Sequence, residues 1–329
     1  MKLKDVILKI LEENKGRYVS GEEIAEKLSV SRNSVWKAIN RLKSEGHIIY
    51  AVTNKGYYLA EKNKVFTANS VYELLNADLC ERLNVNIVPT VGSTNTELKI
   101  LAEKDGAEGE VLIALEQTAG RGRLGKSFFS PKDTGLYMSI LLRPNCSAND
   151  SLYITACAAV SAAEAIEKTT GVEAGIKWVN DIYVNRKKVC GILTEASLDF
   201  VSCFPNYVVL GIGINLTTAK FPEEIVPLAG SVSCEDIDLR GPVAAEFLNS
   251  FFSYYANLKS LDFLPEYRKR SILTGQKIMF SRGNETFEGK VLEIDDRVRL
   301  VTELDNGEIV ALSSGEVTLV RKHLLSYFF

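Results

Sequence analysis

The sequence predicts an α+β protein built in three successive parts, and three observations carry that reading. Over residues 1–62 apolar residues recur at helical spacing and then give way to two short strand-like runs about a turn. From 63 to 270 apolar strand segments alternate with helical ones, as a central mixed-sheet α/β domain requires. From 271 to 329 short strands dominate, separated by turns at Arg282-Gly283-Asn284, Asp295-Asp296 and Asp305-Asn306-Gly307, the pattern of a small SH3-like β-barrel. A chain of 329 residues is long for one hydrophobic core, so each part is expected to be a domain, with boundaries at 1–62, 63–270 and 271–329.

The first part opens with Leu3, Val6, Ile7, Ile10 and Leu11 on one face of a helix, broken at Asn14-Lys15-Gly16. Ser20-Gly21-Glu22-Glu23 fits a capping box ahead of a second helix striped by Ile24, Ala25 and Leu28. A turn at Ser29-Val30-Ser31 leads into a third helix with Val35, Trp36, Ile39 and Leu42 facing inward and a stop at Glu45-Gly46. Residues 47–52 and 56–60 then flank Thr53-Asn54-Lys55 as strand, turn and strand. This order resembles the winged helix-turn-helix DNA-binding domains, whose third helix enters the major groove. Ser31, Arg32, Asn33, Ser34, Lys37, Asn40 and Arg41 are available on that helix and Lys55 on the wing, the kinds of group that base edges and phosphates require. Charge agrees, because residues 1–62 carry 12 Lys and Arg against 8 Asp and Glu, while the remainder holds 27 against 34. A winged helix used only for protein contacts is the competing reading.

Composition excludes several classes. The six cysteines, at 80, 146, 157, 190, 203 and 234, form no C-x-x-C pair, and His47 and His323 are the two histidines, so neither a zinc site nor a disulfide framework is supported. No apolar run approaches the ~18 residues that a membrane span needs. The expected location is the cytoplasm, with no membrane partner.

Residues 61–64 read as a linker, and the second part is expected to begin with a helix over 71–75 and a strand over 85–88. The strand runs into Gly92-Ser93-Thr94-Asn95-Thr96-Glu97, where Thr94 to Glu97 spells a capping box at a helix end able to meet a ligand's carbonyl. A strand over 135–143, an Ala-rich helix over 152–168 and the corner Ile176-Lys177-Trp178-Val179-Asn180-Asp181-Ile182 follow. Lysine, asparagine and aspartate within five residues of apolar sequence are costly to bury without purpose, the plain alternative being a Lys177–Asp181 ion pair. Next come Lys188-Val189-Cys190-Gly191-Ile192-Leu193 and Gly211-Ile212-Gly213-Ile214-Asn215, two strands. Glycines two apart on a strand clear one face, against which a flat ligand can lie. A helix over 243–258 closes this part.

The stretch Gly120-Arg121-Gly122-Arg123-Leu124-Gly125-Lys126-Ser127 matches the phosphate-binding pattern G-x-x-x-x-G-K-[ST]. A true P-loop runs into a helix, whereas Pro131, Asp133 and Gly135 follow closely here. The expectation is therefore a glycine- and arginine-rich loop that handles an anion without that fold.

Gly92-Ser93-Thr94-Asn95, Gln117 with Gly120-Arg121-Gly122-Arg123-Leu124-Gly125, Lys177-Trp178-Val179-Asn180-Asp181, Lys188 to Leu193, Gly211 to Asn215 and the terminal barrel fall in one order along the chain. That set resembles the bifunctional biotin-protein ligase and biotin repressor family over essentially the full length. The resemblance implies formation of biotinyl-5′-adenylate from biotin and MgATP, then transfer of biotin to a lysine of a biotin carboxyl carrier protein. It implies Arg121, Arg123 and Lys188 in catalysis, and Ser93, Thr94, Asn95, Gln117, Gly120, Arg121, Arg123, Lys188, Gly191, Gly211 and Gly213 around biotin. Arg123, Lys126, Phe128, Lys177, Asn180 and Asn215 fall to the nucleotide, Asp181 to magnesium, and operator DNA and a homodimer complete the set of partners. Val179, Phe128 and Lys126 depart from the proline, tryptophan and arginine common in the family. A ligand-sensing regulator without ligase activity and a ligase for lipoate or another cofactor acid are the alternatives.

Overall fold

The computed structural model describes residues 3–44, 46–60, 65–145, 151–198, 205–235, 237–282 and 285–320. The chain forms two compact units, Met1–Glu73 and Leu74–Phe329.

In the first unit, α1 (Leu3–Glu13), α2 (Gly21–Lys27) and α3 (Arg32–Ser44) pack around Ile7, Leu11, Ile24, Val35, Ile39 and Leu42. Ser20 starts α2 by accepting from Glu22 N, so the cap is made by the serine without the reciprocal glutamate bond. Ser31 Oγ accepts from Ser34 N at 3.1 Å and starts α3. Gly46 stops that helix in the left-handed region at φ +98°. The wing is the antiparallel pair β1 (Ile49–Val52) and β2 (Gly56–Leu59), in the register Tyr50↔Tyr58, with Val19 bridged to Tyr57 on its far edge. Trp36, expected inside, is 54% exposed because the buried stripe of α3 runs Val35, Ala38, Ile39, Leu42 and leaves position 36 on the outer side. The helix expected over 71–75 is α4 (Ala68–Tyr72), and it clusters with this unit. Thr67 caps it, and Thr67 Oγ1 and Asn69 Nδ2 both donate to Glu12 of α1. Burial raises the Glu12 carboxyl above its usual value against those two bonds.

In the second unit, α5 (Ala77–Arg82), β3 (Asn84–Val88), α6 (Thr94–Ala102), β4 (Glu110–Ala114), β5 (Gly135–Leu142), α7 (Ser151–Thr170), β6 (Gly175–Lys177), β7 (Asp181–Val184), β8 (Lys187–Leu198), β9 (Pro205–Asn215), α8 (Arg240–Tyr255) and α9 (Leu264–Lys269) follow in order. Their strands form a mixed sheet in the order β3-β4-β5-β9-β8-β7-β6, parallel between β3 and β4 and antiparallel elsewhere. Register fixes what each face carries. Tyr137, Ser139 and Leu141 of β5 pair with Gly213, Gly211 and Val209 of β9, which pair with Gly191, Leu193 and Glu195 of β8. With a side-chain period of two, these nine positions share one face. Leu98 and Ala102 of α6 pack on that face against Leu141 and Val209. The alternate positions face α7, where Thr155 Oγ1 lies 2.7 Å from Thr194 Oγ1, and α7 packs on α8.

Five strands complete the unit: β10 (Lys277–Arg282), β11 (Glu285–Ile294), β12 (Leu300–Leu304), β13 (Ile309–Leu312) and β14 (Val317–Leu319). They form an antiparallel sheet in the order β13-β12-β11-β10-β14, with Ile278, Val291, Val298 and Leu300 fully buried, an arrangement of the SH3-like kind. Cys80, Cys157, Cys190 and Cys234 are free thiols, whereas Cys146 and Cys203 lie outside the described residues. Among the described residues no helix is long and apolar enough to cross a membrane.

Candidate active site

The glycine-cleared face of the sheet forms the floor of a pocket lined by Ser93, Thr94, Gln117, Arg121, Phe128 and Gly213, among others. A Cβ at position 211 would stand 2.1 Å from Asn95 Oδ1, and one at 213 would stand 2.5 Å from the Phe128 ring. Only glycine lets the first turn of α6 and an aromatic ring come this close to β9. Phe128 also reaches Gly191 and forms an edge-on pair with Tyr137, and its N–H donates to Gly120 O at 2.9 Å.

At the α6 end of the floor a polar network replaces the expected capping box. Ser93 is the N-cap residue and makes no side-chain cap bond. Gln117 takes that role: its Oε1 accepts from Thr94 N at 2.9 Å and from Thr94 Oγ1 at 3.1 Å, while its Nε2 donates to Ser130 Oγ at 3.0 Å. Ser139 Oγ lies 2.7 Å from Thr94 Oγ1 and 2.6 Å from Asn95 Oδ1. Asn95 Nδ2 donates to Glu195 Oε2 at 2.9 Å, and Lys99 and Arg121 both approach the other oxygen of Glu195. Burial alone would raise the Glu195 carboxyl; the bonds from Lys99 and Asn95 and the charges of Lys99 and Arg121 outweigh it and hold the group below its usual value. Ser139 and Glu195 were not singled out from the sequence. A serine and a glutamate at alternate positions of two apolar strands were the available signal, but their partners lie 44 to 100 residues away.

The basic loop is a short hairpin and not the start of a helix. Arg121 bridges Ser127, Gly122 N donates to Lys126 O at 2.7 Å, and Leu124 at the tip is 73% exposed. No helix follows Ser127, residues 128–131 having no regular structure and 132–133 forming a turn before β5, so the phosphate-loop spelling lacks the phosphate-loop fold. Arg123 Nη1 donates to Asn180 Oδ1 at 2.8 Å, and Asn180 Nδ2 donates to Ile192 O at 2.9 Å. Lys126 turns to Glu316 beyond β13, at 2.6 Å, and that bond holds the Glu316 carboxyl below its usual value.

In the corner between β6 and β7, Lys177 and Asp181 face each other in register, yet the cation on Asp181 is Lys188, with Nζ 2.7 Å from Oδ1. Pairing of β7 with β8 brings that lysine across. Lys177 stands over the Tyr183 ring, and burial pulls its ammonium below the usual range. Farther along β9, Asn215 Nδ2 donates to Gly230 O at 3.2 Å, while its buried Oδ1 has no hydrogen-bond partner among the described residues. The site therefore brings Ser93, Thr94, Asn95, Gln117, Arg121, Phe128, Gly191, Gly211 and Gly213 around one pocket, with Gly120 bonded to Phe128 behind that lining, and Arg123, Asn180, Asp181 and Lys188 into polar contacts beside it. Lys126, Lys177 and Asn215 have partners of their own outside those contacts.

Magnesium needs hard oxygen ligands, and one or two carboxylates suffice when the ion arrives on phosphates with its waters. Asp181 supplies such a carboxylate, and among the described residues no cluster of three or more His, Cys, Asp or Glu could cage an ion alone. The donor set fits an ion carried by a nucleotide.

The first unit presents a separate candidate surface. Arg32, Asn33, Lys37, Asn40 and Arg41 are exposed on α3, around the exposed Trp36. Ser31 and Ser34 share a contact at 2.9 Å in the cap, Arg32 lies 3.9 Å from Glu22, and Lys55 sits over the Tyr18 ring at the wing.

A family model described as an HTH domain matches residues 4–58, and one described as the biotin/lipoate A/B protein ligase family matches residues 88–215. The chain is 33% identical over 328 residues to the bifunctional ligase/repressor BirA of Bacillus subtilis, covering 96% of this chain and 98% of that relative. It is 31% identical over 323 residues to the protein of the same description from Bacillus spizizenii, again over 96% of this chain and 98% of the relative. Among solved structures it is similar to the biotin protein ligase from Aquifex aeolicus in complex with biotin and ATP, with 28% identity and a TM-score of 0.60 over 72% of this chain and 99% of that one.

Proposed function

The chain belongs to the family of bifunctional biotin ligase/repressors, and from that premise we propose how its residues divide the work. It is a biotin-protein ligase that makes biotinyl-5′-AMP from biotin and ATP and passes biotin to a lysine of a carrier protein, and it is a DNA-binding repressor for which the adenylate is corepressor. The observation that carries the assignment of residues is the pocket itself: a glycine-cleared floor with hydroxyls and amides at the α6 end and the Arg123–Asn180 and Lys188–Asp181 pairs beside it.

In the first step the carboxylate of biotin attacks the α-phosphorus and pyrophosphate leaves. Two anions must meet, so fixed cations lower the barrier by cancelling repulsion and by stabilising charge that builds on the phosphoryl oxygens. Arg121, Arg123 and Lys188 fill this role. Asn180 keeps Arg123 aimed, because its amide is fixed at the other end by Ile192 O. Ser93, Thr94, Asn95 and Gln117 hold the polar head of biotin, with the backbone of Gly120, Gly191, Gly211 and Gly213 close by. Phe128, Lys126, Lys177 and Asn215 serve the nucleotide, the unpartnered Asn215 Oδ1 offering an acceptor. Asp181 would hold magnesium carried with ATP, which would neutralise phosphate charge. In the second step the lysine amine of the carrier attacks the biotinyl carbonyl, AMP departs, and the amine gives up its proton; the mixed anhydride needs no cysteine nucleophile.

For repression, Ser31, Arg32, Asn33, Ser34, Lys37, Asn40, Arg41 and Lys55 meet operator DNA. One winged helix offers little surface for tight binding, so the working species is a cytoplasmic homodimer on a two-fold operator. The ligase assignment is tested by incubating the chain with MgATP, a carrier domain, and either biotin or lipoate, and weighing the carrier. One added biotinyl group, with no lipoyl product, is expected. An unmodified carrier in the biotin reaction, or an equal yield with lipoate, contradicts the assignment.

A further inference from the structure

The corner that carries Asn180 and Asp181 is braced by a residue to which the reaction has so far assigned nothing. Tyr267 on α9 is fully buried, and its hydroxyl donates to Val179 O at 3.1 Å. A phenylalanine would fill the same volume with no polar atom to satisfy, so a buried phenol draws attention to what its hydroxyl holds. The Val179 carbonyl shares a rigid peptide plane with Asn180 N, so fixing that oxygen fixes the plane from which Asn180 departs. Asn180 then bonds Arg123 and Ile192 O, and Asp181 meets Lys188. Burial raises the phenol well above its ordinary value, with the nearby Asp181 adding to the shift and Arg123 opposing it, so the hydroxyl stays a donor at any working pH.

The same side of the corner is tethered elsewhere. Trp178 Nε1 donates to Val298 O at 2.8 Å. Ile176 N donates to Arg270 O at 2.7 Å, and Ile272 N donates to Ile176 O at 3.0 Å, so residues 270–272 are fastened to β6 by one parallel bridge at Ser271. Helix α9 and the chain that follows it thus hold both the strand that enters the corner and the peptide at its apex.

We propose that Tyr267 is a positioning residue for adenylate formation, its hydroxyl holding the Val179 peptide so that Asn180 and Asp181 meet the nucleotide in one geometry. The inference rests on the proposed reading of that corner as the nucleotide side. It extends the adenylation machinery to α9, a helix whose sequence carries none of the motifs of the site.

The test compares the full-length chain with Tyr267→Phe in biotin-dependent exchange of pyrophosphate into ATP, alongside calorimetric binding of biotin and of a non-hydrolysable ATP analogue. Expected is a KM for ATP raised about tenfold, the scale of one lost buried hydrogen bond, a kcat changed less, analogue affinity weakened by a similar factor and biotin affinity unchanged. Parental KM and analogue affinity, with only the melting temperature lowered, would make Tyr267 a packing residue and overturn the proposal. A second measurement needs no variant: the Ile192 amide, which donates to Asn180 O at 3.0 Å across the corner, should in the unliganded parent exchange with solvent as slowly as amides of β5 and β9, and exchange at loop rates overturns the proposal as well. A parent that makes no adenylate would instead refute the ligase reading, so the two failures are distinct.

Discussion

Single residues at this site act through what they exclude as much as through what they touch. A side chain at 211 or 213 would meet Asn95 or Phe128 before any ligand arrived, so the floor is set by two missing Cβ atoms. Arg123 acts by contact. Replacing it in Arg123→Gly removes a charged donor whose bond to phosphate is among the stronger kinds, so the adenylate should leave the pocket and acylate exposed lysines indiscriminately. Mass spectra of a bystander protein would show this, and biotin confined to the carrier would refute the role. Glu195 carries a pH signature. Its carboxyl is held below the usual value by Lys99 and Asn95, so its stabilising effect is complete above the unfolded-state pKa and is lost as pH falls through the lower folded-state pKa. The stability difference between the parent and Glu195→Gln should therefore be largest near neutral pH and shrink below about pH 4, as urea unfolding over a pH series can measure. A difference that grows on acidification would contradict the assignment.

Elements set up by local pattern were legible in the sequence, and those set up by long-range pairing were not. The helices and wing of the first unit could be read because their stripes and caps lie within a few residues of one another. Trp36 was misplaced since it adjoins the stripe of α3 without belonging to it. The period of two exposed Gly211 and Gly213, and the proline after Ser127 ruled out a phosphate loop. Asp181 was another matter: nearness in sequence suggested Lys177 as its partner, while pairing of β7 with β8 gave it Lys188. Ser139, Glu195 and Tyr267 stayed hidden for the same reason. The basic loop itself is tied to the C-terminal sheet by Lys126–Glu316, an exposed pair of the sort worth about 0–1 kcal/mol. Glu316→Gln should accordingly shift unfolding free energy by less than about 1 kcal/mol. A larger loss in denaturant titration would mean the pair holds more structure than its exposure suggests.

At the scale of the whole chain, residues proposed for chemistry lie in Leu74–Phe329 and those proposed for DNA in Met1–Glu73. Deleting residues 1–73 should abolish operator binding and leave adenylate formation measurable by pyrophosphate exchange; a folded remainder without exchange would make the first unit part of the active site. What joins the two activities is the adenylate, at once the intermediate of ligation and the proposed corepressor. If it favours the dimer, thermodynamic linkage requires operator DNA to tighten adenylate binding by the same factor, and the carrier protein, by consuming the adenylate, to weaken operator occupancy. The most direct test is fluorescence anisotropy on an operator duplex selected by the chain from a random pool, at one protein concentration, without ligand, with biotin, with biotin plus MgATP, and with carrier domain then added. Binding should be tightest with biotin plus MgATP and lost once the carrier is present; equal operator affinity under all four conditions would rule out the adenylate as corepressor.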